Sequence, residues 1–341
     1  MTPETRIEGL RRGARMTDVA ALAGVSAMTV SRALRNPDVV TPETLQRIQA
    51  AIRTVGYVPN RVAGSLSLRR SNVMGLVLPS LRSSLFVETI QGVSDALGQN
   101  YDLMIANSGY THRGEEAAVV AFLSQRVCGI VLHNTRHSRR TRRLIREMAT
   151  PCVETGNLGA DPIDMVAGFS NVDAGRAMTE HLIGRGYRRI GFVSLPVKEN
   201  DRAADRRAGY LAALAHHGLA ADPGLILESP PGLAGGADAL VRLVEGGGGV
   251  DAAFLTGDVL AIGAVLEANR RGWPVPGRIA IAGSDDNEFQ ERLSPPLTSL
   301  RFPRYEIGRQ AARMLTERVL GREVGPAVVD LGFQIIQRAS T

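Results

Sequence analysis

The sequence has few of the residues that build disulfide-linked, zinc-binding or membrane-spanning proteins. Cys128 and Cys152 are its two cysteines, too few for a disulfide framework or for a zinc site with the usual ligand spacing. No apolar run reaches about 18 residues, so we expect no membrane helix. Residues 1–15 also lack the apolar stretch of a signal peptide, and we therefore expect a cytoplasmic protein.

Motifs for nucleotide binding and catalysis are missing as well. No Gly-x-Gly-x-x-Gly follows a predicted strand, and the sequence contains no Walker A motif. We find no convincing set of nucleophile, base and acid. We therefore expect no enzymatic activity, no catalytic residues, no metal site and no cofactor.

The excess positive charge lies at one end of the chain. The formal net charge is +6. Residues 1–70 hold 11 arginines against five acidic residues, whereas the remainder holds 29 basic and 29 acidic residues. A basic module joined to a neutral body is typical of a protein that contacts a polyanion. A solvated basic surface would have the same composition.

Residues 16–34 have the pattern of two short helices joined by a tight turn. Thr17 or a neighbour can cap the first helix, Gly24 can end it in the left-handed conformation, and Ser26 can cap the second. Apolar residues at helical spacing define the expected inward faces: Val19, Ala20, Leu22 and Ala23 in the first helix, and Val30, Ala33 and Leu34 in the second. The pattern predicts a helix-turn-helix, with an ordinary helical hairpin as the alternative.

A third helix and a short hinge follow. Thr41, Pro42 and Glu43 are a hydroxyl cap, a first-turn proline and a first-turn acid, and Gly56 is a stop signal. Residues 60–70 are weakly apolar and contain glycine, so a helix there would be marginal in isolation. We expect it to form when two copies meet on DNA.

Beyond residue 71, short apolar runs alternate with helical patterns. We predict eight strands at residues 73–79, 102–106, 128–133, 152–155, 189–194, 225–228, 252–256 and 279–283. Helices are expected between them and at residues 303–320. This alternation implies parallel sheets, and two such series in about 270 residues imply two Rossmann-like lobes.

Four stretches of residues 16–68 form a recognisable pattern: Asp18-Val19-Ala20, Ala23-Gly24-Val25-Ser26, Thr29-Val30-Ser31-Arg32 and Tyr57-x-Pro59-Asn60-Arg61-x-Ala63. Together they resemble the DNA-binding headpiece of the lac repressor (LacI/GalR) family. The resemblance continues through the whole chain. Residues 27–37 and 329–333 are similar to the gluconate-operon repressor subgroup.

The resemblance implies an all-α helix-turn-helix headpiece and an α/β body whose two Rossmann-like lobes are of periplasmic-binding-protein type. The expected divisions are a mobile arm (1–15), the helix-turn-helix domain (16–59), a hinge helix (60–70) and a two-lobed effector-binding and dimerisation domain (71–341). The first lobe would span about 71–162 and 291–324. The second would span about 163–290 and 325–341.

On this resemblance, the second helix reads the operator. Ala27 and Met28 occupy the positions that select the sequence, and Arg32 can bind guanine with its two-pronged side chain. Four polar residues are expected to contact phosphates or sugars: Thr17, Thr29, Ser31 and Asn60. Leu66 matches the hinge leucine that enters the minor groove and kinks the duplex.

The effector is expected in the cleft between the lobes, beyond the carboxyl ends of the strands. The expected contacts are Ser80, Phe86, Arg202, Arg206, Asp258 and Asp285. An arginine can bind a carboxylate with two hydrogen bonds, and aspartates accept hydrogen bonds from sugar hydroxyls. These residue types favour a sugar or sugar acid such as gluconate, although each acidic residue can instead cap a helix.

Together these features predict a homodimeric repressor that binds a pseudo-palindromic double-stranded operator and responds to a small-molecule effector. No leucine heptad follows the last predicted strand, which favours a dimer over a tetramer. A solute-binding protein is the first alternative, and it would need a signal peptide. A sugar-metabolising enzyme is the second, and it would need catalytic residues in the cleft.

Overall fold

A computed structural model describes residues 14–58, 71–81, 84–257 and 259–341. The chain divides between residues 69 and 70 into an N-terminal headpiece and a body. None of the helices in these ranges is long and apolar enough to cross a membrane. Nearly all of the predicted arm and the predicted hinge, including Asn60 and Leu66, lie outside the described residues.

Three helices form the described headpiece: α1 (Met16–Ala23), α2 (Ala27–Arg35) and α3 (Pro42–Val55). Gly24 and Gly56 end α1 and α3 in the left-handed conformation, with φ of 64° and 65°. The Ser26 hydroxyl caps α2 by accepting a hydrogen bond from the Thr29 amide at 3.1 Å, and Thr41 caps α3 in the same way. These turn and cap predictions are confirmed.

The headpiece core is smaller than the sequence pattern suggests. Its buried residues are Val19, Ala20, Ala23, Val30, Ala33, Ile48, Ala51 and Tyr57. Leu22 and Leu34, predicted to face inward, are 55% and 38% exposed, because two such short helices bury one narrow face each. Thr17 does not cap α1, since the helix begins at Met16 and Arg15 is its cap residue.

The body contains two six-stranded sheets. The first is wholly parallel, in the order β11–β5–β4–β3–β1–β2. Its strands are β1 (Val73–Leu78), β2 (Asp102–Asn107), β3 (Gly129–Leu132), β4 (Cys152–Thr155), β5 (Met165–Gly168) and β11 (Val328–Asp330). The central strands are buried, as expected for a parallel sheet covered by helices on both faces.

The second sheet has the order β12–β10–β9–β8–β6–β7, with β12 antiparallel to β10. Its strands are β6 (Ile190–Ser194), β7 (Ile226–Glu228), β8 (Ala252–Thr256), β9 (Ala280–Ser284), β10 (Thr298–Arg301) and β12 (Gln334–Ile336). The described helices of the body are α4 (Val87–Leu97), α5 (His112–Ser124), α6 (Arg139–Glu147), α7 (Asn171–Gly184), α8 (Asp201–His216), α9 (Leu233–Glu245), α10 (Leu260–Arg270), α11 (Glu288–Arg292) and α12 (Arg304–Val319). Each sheet with its helices forms one lobe.

The chain passes between the lobes later than the sequence predicts. The crossings were expected near residues 162, 290 and 325. Strand β5 still belongs to the first sheet, β10 still belongs to the second, and β11 returns to the first. The crossings therefore follow residues 168, 301 and 330. Strand β5 includes Ala167 and Gly168, which are uncommon in strands, and β10 has Leu300 as its one large apolar residue, so neither gives a clear strand pattern.

Neighbouring helices in each layer meet through reciprocal glycine contacts. The glycines form three pairs: Gly92 and Gly308 between α4 and α12, Gly175 and Gly209 between α7 and α8, and Gly236 and Gly263 between α9 and α10. A Cβ atom at any of these six positions would lie 1.8–2.2 Å from a backbone carbonyl oxygen of the partner helix. A side chain would therefore force the helix backbones apart.

Replacing Gly175 by alanine is expected to destabilise the body by roughly 1–3 kcal/mol, because the new methyl group meets the Arg206 backbone. Gly184 lies in the same helix with open space around its position, so Gly184→Ala should be neutral or stabilising by up to about 1 kcal/mol. Urea denaturation of both variants provides the test. Equal stability of the two variants would contradict the close packing.

Candidate functional site

The predicted DNA-reading residues lie on α2 and at the start of α1. Met28 is 65% exposed, and Thr17 and Arg32 are also exposed. Ala27 is half-buried and packs against the headpiece core. Thr29 is partly committed to the helix cap, since its amide donates to Ser26. The exposed side chains leave α2 able to present Met28 and Arg32 to a DNA groove.

A cavity between the two lobes gathers four of the six predicted effector residues. Phe86, Arg202, Arg206 and Asp285 line a space of about 540 Å³, including the part open to solvent. Ser80 does not line this cavity, and Asp258 lies outside the described residues. The lining further contains several residues that the sequence analysis missed: Thr89, Tyr110, His133, Asn200 and Arg304.

Arg202 and Asp201 form a buried ion pair at the first turn of α8. The Arg202 guanidinium lies 3.0 Å from the Asp201 carboxylate. Burial by itself raises the pKa of Asp201, but Arg202 and the hydrogen bonds from Thr135 outweigh it and hold that pKa below its ordinary value. Asp201 is therefore ionised at neutral pH, and it compensates the charge of Arg202.

Arg304 and Asp285 form a second buried pair, which joins the lobes. Arg304 is the first residue of helix α12, which packs against the first lobe. The Arg304 guanidinium donates a hydrogen bond to the carboxylate of Asp285, which follows β9 in the second lobe. Arg304 was not predicted because the second crossing was expected near residue 290, whereas it follows residue 301, directly before Arg304. A polar strand as short as β10 gives no signal that its end borders a site.

The backbone is strained at Asp285 and at the residue that follows it. Asp285 and the following Asp286 both have positive φ, 83° and 42°, a conformation that costs a non-glycine residue about 1 kcal/mol or more. The buried Asp286 carboxylate is held by Arg301 at 2.7 Å and Arg338 at 2.5 Å. These two ion pairs stabilise the turn that directs Asp285 into the cleft.

Arg206 is the buried cation with the weakest compensation among the described residues of the cleft. Its guanidinium donates to the neutral Asn171 side chain at 2.7 Å. Its Nε atom is buried and has no hydrogen-bond partner in the described part of the chain. Burial lowers the pKa of Arg206 to about 10, against the attraction of Asp285. Arg206 thus remains charged at neutral pH with a donor available to a ligand.

His133 is a neutral member of the same cavity. Burial, reinforced by Arg202, Arg304 and Arg206, lowers the pKa of His133 well below its ordinary value. Its Nδ1 atom lies 3.0 Å from the Thr155 hydroxyl, and its ring meets Phe86 edge to face. An uncharged imidazole here adds a hydrogen-bonding group without adding positive charge.

A second charged cluster lies in the first lobe, outside the lining of the cavity. His137 has a fully buried side chain, with Nδ1 2.7 Å from Glu115 and Nε2 3.5 Å from Glu154. Burial by itself lowers the pKa of His137, but the hydrogen bonds and charges of the two carboxylates outweigh it and raise that pKa to about 9. The histidine is therefore a buried cation at neutral pH.

The raised pKa of His137 predicts that the body loses stability as pH rises. The folded chain holds this proton up to about pH 9, whereas the unfolded chain releases it near pH 6.5. The contribution is fully present below about pH 6.5 and falls by up to about 1.4 kcal/mol per pH unit until pH reaches the folded pKa. Urea denaturation between pH 6 and pH 9 should show this slope in the wild type and not in His137→Gln. Parallel pH profiles of the two proteins would contradict the assignment.

Comparison with known proteins identifies both parts of the chain. Residues 15–60 match the family model of bacterial regulatory proteins of the lacI family. Residues 179–341 match the periplasmic binding protein-like domain. The first match covers the described headpiece helices, and the second covers most of the second lobe and the last strands of both sheets.

Relatives similar over nearly the whole chain include the HTH-type transcriptional regulator GntR of Pseudomonas aeruginosa. It is 36% identical over 329 residues, which cover 96% of this chain and 95% of that protein. A LacI-family transcriptional regulator from Silicibacter pomeroyi has a TM-score of 0.89 at 30% identity, covering 96% of this chain and 99% of that one. The transcription regulator GntR from Chromobacterium violaceum has a TM-score of 0.75 at 35% identity, over 79% of this chain and 98% of that one.

Proposed function

Because this chain belongs to the LacI family of bacterial regulatory proteins, we propose that it is a repressor whose affinity for its operator is set by a sugar acid bound between the lobes. The chain is a DNA-binding transcriptional regulator, as predicted from its helix-turn-helix, and its relatives are transcriptional regulators and not enzymes. Of the alternatives, neither the solute-binding protein nor the sugar-metabolising enzyme is supported by the relatives.

The incomplete compensation of Arg206 carries the proposal of an acidic ligand. Among the described residues of the cleft, Arg202 pairs with Asp201, and Arg304 pairs with Asp285. Arg206 has a neutral partner and an unused buried donor. An arginine offers a planar fork that matches a carboxylate, and burying it unpaired is unfavourable. A carboxylate ligand would satisfy it, whereas a neutral sugar would leave the charge.

Gluconate is the sugar acid we propose, since the subgroup resemblance and the cleft chemistry agree. Part of this cavity between the lobes is open to solvent. Asp285, Asn200 and the neutral His133 line it together with Arg206, and they offer the hydrogen-bond acceptors and donors that hydroxyl groups require. Asp258 and Ser80 stay as predicted contacts.

We propose that the protein acts as a cytoplasmic homodimer on a pseudo-palindromic operator. Two copies of α2 would read the two half-sites, with Arg32 and Met28 facing the bases. Several large apolar side chains are exposed on the body, and some of them would lie in the contact between copies: Leu81, Val87, Met104 and Ile105 on the first lobe, and Leu233, Leu266 and Phe289 on the second.

Effector binding would change DNA affinity by favouring one relative orientation of the lobes. The ligand can shift this equilibrium only by its difference in affinity for the two orientations. Arg206 from the second lobe and Phe86 from the first both line the cavity. The affinity of a ligand that contacts both residues would therefore depend on the distance between them. The hinges would transmit the change in lobe orientation to the two headpieces.

Arg206→Gln is expected to weaken binding of D-gluconate by roughly 10- to 100-fold, since it removes charge-assisted hydrogen bonds to the carboxylate. Arg207→Gln is the matched control, because Arg207 lies on the same helix and pairs with Glu228 at 3.5 Å. Isothermal titration calorimetry with D-gluconate, and with D-glucose as the neutral analogue, measures both. Binding of glucose without binding of gluconate would rule out the acidic ligand.

Arg32→Ala is expected to weaken binding to the specific operator by roughly 10- to 100-fold, because it removes a base-reading contact. The operator is first selected from random duplexes with the purified protein. Arg53→Ala, an exposed substitution in the last turn of α3, removes the same charge and should have a smaller effect that disappears at higher salt. Equal losses in the two variants would show that Arg32 contributes charge alone.

A further inference from the structure

Asn134 connects the buried charged cluster of the first lobe to the cleft. Its Nδ2 atom donates to Glu115 at 2.8 Å, and its Oδ1 atom accepts from Arg202 at 2.6 Å. Asn134 is nearly buried, and Glu115 is fully buried. The other Glu115 oxygen accepts from Nδ1 of His137 at 2.7 Å, so both oxygens of this carboxylate face hydrogen-bond donors.

The chemistry on its two sides allows one orientation of the Asn134 amide. A carboxylate only accepts and a guanidinium only donates. If the amide turned over, its oxygen would face the Glu115 carboxylate, and its NH2 group would face Arg202. Both contacts would then be repulsive in a buried site, where unsatisfied polar groups are most unfavourable. Glu115 and Arg202 therefore select the same orientation of Asn134, and Glu115 reinforces the one in which Oδ1 accepts from Arg202.

Arg202 and Asp201 attach the second lobe to the first. Arg202 also donates to the backbone carbonyl of His133 at 2.6 Å. Asp201 accepts from the amide and the hydroxyl of Thr135, both at 2.8 Å. These bonds join the first turn of α8 to the segment that follows β3, on opposite sides of the cleft. We refer to the bonds between Asp201 or Arg202 and residues 133–135 as the latch.

We propose that Glu115 is a positioning residue, which orients Asn134 so that Arg202 is held in the latch, and so controls how readily the lobes separate. Glu115 is not among the residues that line the cavity, and it acts through Asn134. The effect of the latch on the response to an effector rests on the proposed function. The latch itself consists of contacts between the lobes and needs no ligand.

Hydrogen exchange of the Thr135 amide in the full-length, ligand-free protein measures the latch directly, because this amide donates to Asp201. Glu115→Gln is expected to speed the exchange of this amide by about 10-fold or more, because a side-chain amide at position 115 can offer either a donor or an acceptor and so permits both orientations of Asn134. Glu116→Gln is the matched control. Glu116 is the next residue of the same helix and pairs with Arg140 at 2.7 Å, so exchange should stay at the wild-type rate.

The double variant Glu115→Gln with Asn134→Asp separates positioning from general loosening. The new amide at position 115 can donate to the new carboxylate at position 134, whose second oxygen can accept from Arg202. Every hydrogen-bonding group is thereby paired again, with the direction of the bond between residues 115 and 134 reversed, and exchange should return to within about threefold of the wild-type rate. Exchange in the double variant as fast as in Glu115→Gln would overturn the proposal, as would wild-type exchange in Glu115→Gln.

Asn134→Ala keeps the test decisive if Glu115→Gln disrupts the fold, which faster exchange throughout β3 would reveal. This substitution breaks the connection while leaving Glu115 paired with His137, and it should speed Thr135 exchange by about 10-fold or more. Wild-type exchange in Asn134→Ala would overturn the proposal. Titration of each variant with D-gluconate is a separate measurement: a wild type that fails to bind gluconate refutes the proposed effector and leaves the exchange result standing.

Discussion

The buried guanidinium groups of the cleft are the constraint on which the sensor depends. A buried cation without a partner is strongly unfavourable, so each arginine needs an acceptor supplied by the fold. Asp201 serves Arg202, and Asp285 serves Arg304 across the lobes. Arg206 is left with a neutral amide and an unused donor. Closure of the cleft and binding of the proposed acidic ligand would therefore depend on the same set of charges.

Close helix packing places these charges. Gly175 lets α7 approach the backbone of Arg206 within α8, and the reciprocal contact at Gly209 fixes the two helices over the second sheet. Arg206 therefore lies on one of two helices whose backbones are in close contact at Gly175 and Gly209. This close contact limits movement of one helix relative to the other. Such rigidity suits a regulator, because ligand binding then changes the orientation of one lobe relative to the other and does not deform a single lobe.

Features with a local physical cause could be predicted from the sequence. Gly24, Ser26 and Thr41 each satisfy backbone groups at a helix end, and they do so in the structure. The longer buried strands could be predicted in the same way. Strands β5 and β10 could not, because β5 includes Ala167 and Gly168, which are uncommon in strands, and β10 has Leu300 as its one large apolar residue. The cleft role of Arg304 was missed with them. The reciprocal glycines and the Glu115–Asn134–Arg202 connection depend on residues far apart in the chain, which no local pattern reveals.

The last strands have a consequence for how the protein is made. Strand β11 completes an edge of the first sheet, and β12 completes an edge of the second, so both sheets stay incomplete until residues 328–336 have been translated. The headpiece helices depend on a core within residues 14–58 and can form while the ribosome is still adding the body. The three headpiece helices of a nascent chain can therefore fold well before the body that regulates them is complete.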